Sequence, residues 1–131
     1  MKIAVYGSTK MKNKLHKSVG YALNGIAHGI STERNIKYQI TIAFIIISIS
    51  LLLKIPKIEL LLIIFVSFLV IILEMINTSI ERLIDKIHPE KDEQLGHVKD
   101  LIGGAVLLSV LLSIIIGIII LFKPILRLIL N

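Results

Sequence analysis

Apolar positions along this chain follow two patterns, long uninterrupted runs and one periodic stripe. Three runs carry no charge: Tyr38–Leu53, Leu60–Leu73 and Leu101–Phe122. A helix needs about 20 apolar residues to cross a bilayer's hydrocarbon core. The third run, 22 residues long, qualifies outright. The first is 16 long, and Lys37 and Lys54 at its ends can reach the headgroups and extend it. The second qualifies only if Glu74 is swallowed into the hydrophobic stretch Ile58–Ile80. The pattern predicts spans at about 37–55, 58–80 and 101–122, with a cytoplasmic segment 81–100 and a C-terminal tail 123–131. Upstream, Leu15, Val19, Leu23, Ile26 and Ile30 recur at 4, 4, 3 and 4, while Lys17, Tyr21, Asn24 and His28 line another side. That spacing predicts an amphipathic helix on the membrane surface, residues 14–36 with its exit turn, preceded by a loose basic tail, 1–13. A plain interfacial anchor has the same pattern, and Gly25 and Gly29 add a weak GxxxG signal for helix contact.

Composition narrows this to one class. With 131 residues, 55% hydrophobic and 18% charged, the chain has one domain's length and cannot wrap three such helices in a soluble core. The absence of cysteine removes disulfides and thiolate chemistry. The net charge of +6 comes from residues flanking the apolar runs, which points to an anionic membrane face and away from nucleic acid. Residues 1–37 and the link between spans two and three carry eleven Lys and Arg, against four on the other side. That bias predicts a cytoplasmic N-terminus and second loop, in the inner cell membrane. The fold class is all-α integral membrane, three transmembrane helices plus the surface helix.

The chemistry rests on acids in expensive places. A carboxylate inside a membrane helix costs at least a few kcal/mol, so Glu74 is a functional candidate by default. Six residues before Ile80, it lies about 9 Å below the interface at 1.5 Å per residue. Glu74, Asn77, Glu81 and Asp85 are spaced 3, 4 and 4, one line along a helix that Pro89 should end near His88. A span that ends early into a solvated helix gives the same acids. Against that, Met75, Ile76, Ile80, Leu83, Ile84 and Ile87 keep the other sides apolar. Aligned carboxylates repel unless a cation lies between them, and carboxylates one or two turns apart near water suit a hard ion such as Mg²⁺. A carboxyl buried at the membrane edge is also a candidate general base. Lys99 and Asp100, at the start of the third span before Gly103 and Gly104, fit either a snorkelling flank or a phosphate-pairing pair. Glu33, in the turn before span one, sits at the same depth and is by itself an ordinary interfacial charge. There is no GxxxxGK[ST] loop, no kinase-type glycine loop and no HExxH, and the four histidines lack ligand spacing.

Glu74-Met-Ile-Asn77-Thr-Ser-Ile-Glu81-Arg-Leu-Ile-Asp85, followed by Lys99-Asp100, resembles the E-x-x-N-[ST]-x-I-E-x-x-x-D … K-D pattern of the small prokaryotic diacylglycerol and undecaprenol kinases. Gly20-Tyr21, Gly25 and Glu33-Arg34-Asn35 are similar to that family's surface helix and exit turn, so the likeness covers about Lys14 to Phe122. The resemblance implies a homotrimer with sites between subunits, transferring the ATP γ-phosphate to the primary hydroxyl of a membrane lipid. It implies Glu74 as general base, and Glu33 and Glu81 holding the Mg²⁺ that accompanies ATP. Asn77, Lys99 and Asp100 would support the nucleotide, with Lys14, Tyr21, Glu90, Lys91 and Asp92 as further contacts. Lys14, Glu74 and Gly103 would meet the lipid. The surface helix has no Trp, and the Glu-Arg-Asn turn is similar to the undecaprenol-using branch, so undecaprenol is the expected substrate and diacylglycerol the alternative. His97 stands where some relatives carry Arg. Outside kinases, a small proton-coupled exporter or a purely structural membrane protein competes.

Overall fold

The computed structural model describes the chain from Lys2 to Leu130, and its side chains from Lys14 onward. All regular structure in it is helical: α1 is Lys2–Thr32, α2 Arg34–Leu52, α3 Lys57–Ile87 and α4 Glu93–Leu130. The last three are long and apolar enough to cross a membrane. The chain divides into two compact units, one ending at Arg34 and the other starting at Asn35.

α1 forms the first unit. It is helical from Lys2 and not only from Lys14, and no proline in this stretch interrupts it. The side chains of the expected basic tail, residues 1–13, lie outside the described residues. The helix stops where Ser31 and Thr32 turn their hydroxyls onto the His28 carbonyl, at 2.9 and 2.8 Å. Such side-chain bonds compete with the helical ladder. The Glu33 amide closes the last turn by donating to the Gly29 carbonyl at 2.9 Å.

In the second unit α2 ends in a turn with identifiable chemistry. Lys54 has φ 50°, its amide donates to Leu51 O at 3.1 Å, and the Ile55 amide donates to Ser50 O at 3.4 Å. These are the paired bonds of a Schellman cap, in which the left-handed residue is usually glycine. Pro56 follows, as expected just beyond such a stop, and opens α3. Ile55 turns inward to join Ile63, Ile120 and Leu121 in the main apolar cluster, with Ile46, Ile47, Leu53, Leu60 and Ile116 against it. α3 and α4 are the principal packed pair. Elsewhere large side chains such as Phe44, Phe65, Leu101 and Ile119 face outward, which carries no penalty in lipid. Buried Ser50 and Ser109 satisfy themselves by donating to carbonyls of their own helices, at 2.7 Å each.

Element boundaries differ from the expected spans where apolarity and helicity part company. α3 does not stop with the hydrophobic run but continues through the acidic stretch to Ile87, because nothing between Lys57 and Pro89 breaks a helix. α4 begins at Glu93, well before the apolar run, and continues through Pro124 to Leu130 across the expected C-terminal tail. Its early start is set by Asp92, whose Oδ1 accepts from the Leu95 amide at 2.9 Å as an N-cap.

Candidate active site

The interior face of α3 is a single line from lipid to water. Ile63, Val66 and Val70 are its buried apolar residues, and Glu74 and Asn77 continue the same face at spacings of 4 and 3. Glu74 is 4% exposed and Asn77 8%, so both point into the protein and away from lipid and solvent. This decides against a span that ends early into a solvated helix. Glu81, one turn further, is half-buried, and Asp85 is exposed. The Asn77 Oδ1 atom is buried with no hydrogen-bond partner in the chain. An orphaned buried acceptor of this kind costs about 1–3 kcal/mol unless something else supplies a donor or a cation.

At the open end of the line, α4 comes alongside. Lys99 Nζ donates to Asp85 Oδ1 at 2.8 Å. That bond, then the nearby Asp85 and Glu81 charges, hold Lys99 above the ordinary lysine range, partly opposed by desolvation. Lys99 thus stays cationic beside two acids of the ladder. Asp85, Lys99, Glu90, Lys91, Asp92 and Glu93 line one polar cavity of about 570 Å³ around the α3–α4 link. Within it Asp92 is occupied as the α4 cap, and its other oxygen lies 3.9 Å from His88 Nε2.

The other expected residues are distributed as follows. Asn77 and Glu81 lie on α3 deeper than this cavity, and Asp100 is exposed on α4. Gly103 is half-buried on α4, and a Cβ added there would meet nothing within 4 Å. Lys14 and Tyr21 are exposed on α1, and Glu33 is half-buried at its end, all three in the first unit. Among the described residues no three His, Asp or Glu side chains converge on one point. One residue assigned no site role from sequence alone, Asp85, is drawn in here by its bond to Lys99. Its place in the 3-4-4 spacing is the signal that could have found it.

What such an arrangement can do is limited to a few chemistries. A buried carboxyl, an unpaired amide oxygen and a half-buried carboxyl climb toward a mixed-charge pocket at the end of membrane-length helices. This suits handling a polyanion from the water side and a lipid group from the membrane side. The model of the family described as prokaryotic diacylglycerol kinase matches residues 20–121. A diacylglycerol kinase of Synechocystis is 31% identical over 112 residues, 85% of this chain and 64% of that protein. Those of Haemophilus influenzae and Escherichia coli are 29% and 28% identical, over 81% and 84% of this chain and 89% and 90% of theirs. With three membrane-length helices and a match over most of its length, this chain belongs to the prokaryotic diacylglycerol kinase family and is a multi-pass membrane lipid kinase.

Proposed function

We propose that the protein transfers the γ-phosphate of Mg-ATP to the primary hydroxyl of undecaprenol, at the cytoplasmic face of the inner membrane and as a homotrimer. The observation that carries this reading is the burial of Glu74 and Asn77 on the core face of α3, with the Asn77 oxygen unpartnered. In the transfer the Glu74 carboxylate takes the hydroxyl proton as the lipid oxygen bonds to the γ-phosphorus. The bond from that phosphorus to the bridging oxygen breaks, and ADP leaves with the electron pair. Phosphoryl transfer asks the protein mainly for alignment and charge neutralisation. Lys99, kept cationic by Asp85, and Lys91 supply fixed positive charge for the phosphates, with Lys14, Tyr21, Glu90, Asp92 and Asp100 as further nucleotide contacts. Gly103, with open space above its backbone, leaves room for the lipid head, which Glu74 and Lys14 would also meet.

The donor set fits a hard divalent ion, since carboxylate and amide oxygens suit Mg²⁺. Glu81 and Glu33 would hold it with Asn77 in support, and when bound it neutralises charge on the transferring phosphoryl group. Membrane helices associate through small residues, and the open Gly104 position on α4 supports subunit contacts.

Diacylglycerol is the second reading, favoured by the name of the curated relatives. The deciding experiment measures transfer from labelled ATP to undecaprenol and to a diacylglycerol in the same mixed micelles. A higher kcat/KM for undecaprenol is expected. A higher value for diacylglycerol reverses the substrate assignment, and no transfer to either removes the proposed reaction.

A further inference from the structure

Glu74's face of α3 leads, in the other direction, into an open groove of about 540 Å³ lined by residues of α2, α3 and α4. That volume falls within the range of about 300–1,000 Å³ common for small-molecule sites. Its walls include Ala43 on α2, Ile63 and Val70 on α3, and Ser113, Gly117 and Ile129 on α4. The small side chains at Ser113 and Gly117 hollow it out, and a Cβ at Gly117 would meet nothing within 4 Å. Ser67 and Ser113 also line it, yet their hydroxyls are satisfied by Ile63 O and Val110 O at 2.7 and 2.8 Å. Apart from Gln39, the lining offers a passing molecule little besides methyl and methylene surface.

Depth argues for the occupant. Val70 is one turn from Glu74 on the same buried face, so the groove's near end adjoins the carboxyl that would meet the lipid hydroxyl. Counting from Ile80 at 1.5 Å per residue, Val70 lies about 15 Å deep, the middle of a core about 30 Å thick. On α4 the wall runs from Ser113 away from the acidic ladder, and its stretch to Phe122, about 14 Å long, covers most of the remaining half of that core. Chains matched to one leaflet reach the near part of this groove, whereas a polyprenyl chain is long enough to run along all of it.

We propose that this groove takes the distal part of a single long polyprenyl chain whose hydroxyl lies at Glu74, and that Ser113 and Gly117 set the enzyme's preference for chain length. The inference rests on the lipid-kinase reading above and adds a determinant far from the reacting atoms.

The test fills the groove with Gly117→Leu and Ser113→Leu and compares kcat/KM for undecaprenol with that for farnesol, with Ala105→Leu as an exposed control outside the lining. The undecaprenol-to-farnesol ratio should fall about tenfold or more in both groove variants, since a mismatch in an apolar pocket is worth about 10–200-fold, and should hold in the control. A photoreactive polyprenyl alcohol should label the Ser113–Gly117 stretch, with or without ATP. An unchanged ratio overturns the proposal. So does a changed oligomeric state in the groove variants by light scattering, which would assign the groove to a second copy of the chain. Labelling of that stretch without transfer to any alcohol would sink the kinase reaction and leave the groove assignment standing, and loss of the label would sink the groove alone.

Discussion

Replacing Glu74 by Gln removes a proton acceptor and almost no volume, at a position 4% exposed on the core face of α3. Glu and Gln have similar helix propensities. The new amide can donate to the unpartnered Asn77 Oδ1 three residues on, so the helix and its packing should survive. What is lost is the proposed base. Positioned general bases contribute about 10²–10⁴-fold, which at 1.36 kcal/mol per tenfold is about 3–5 kcal/mol of barrier. The measurement is phosphate transfer from labelled ATP to saturating undecaprenol in micelles, alongside Mg-ATP binding by calorimetry and a thermal melt. Turnover should fall by about two to four orders of magnitude, with nucleotide affinity and Tm close to those of the unsubstituted protein. Turnover within about threefold of that protein would mean that the buried carboxyl takes no proton in the rate-limiting step.

Glu81→Gln should leave the lipid KM alone and raise the Mg²⁺ concentration giving half-maximal rate about tenfold, the loss of one carboxylate ligand, as read from a metal titration at fixed ATP. Lys54→Gly should stabilise the protein by about 0.5–1 kcal/mol, because φ 50° is strained for any residue with a Cβ, and a raised Tm in detergent with unchanged kinetics reports it. Asp85→Asn should weaken ATP binding through Lys99, and Lys99→Met should add little more in the double variant, since the two act as one pair. Lys99 is raised by its pairing, so that contribution is complete below the free lysine value of about 10.4 and is lost only as pH climbs through the still higher folded value. Nucleotide affinity should therefore show no Lys99 titration between about pH 6 and 9, and one appearing there in the unsubstituted protein would refute the pairing.

Much of the architecture is legible in the order of residues because membrane spans depend on composition and length alone. The ladder's 3-4-4 spacing likewise fixes which residues share a face of α3. Which face points inward is another matter. That is decided by α4, whose Ile120 and Leu121 cluster with Ile63, and no periodicity in α3 names its neighbour. Helix ends fall outside the apolar pattern for the same kind of reason. α4 starts where the Asp92 carboxylate can cap it, eight residues before its uncharged run begins at Leu101, while the end of α3 at Ile87 is the one Pro89 announces. Asp85 is a member of the ladder by spacing, but only the approach of Lys99 distinguishes it from any solvated acid. The reach of Glu33, Lys14 and Tyr21 toward a shared site rests on resemblance, and these residues fall in the other compact unit.

Only five residues, His88 to Asp92, connect α3 to α4, and two of their side chains are already engaged with each other. Loops longer than about 12 residues are where active-site lids are commonly found. A link this short leaves little chain to drape across a bound nucleotide, so shielding of the γ-phosphate from water falls to other parts of the protein. Stray hydrolysis of ATP in the absence of lipid is therefore a direct gauge of how tightly the site is covered.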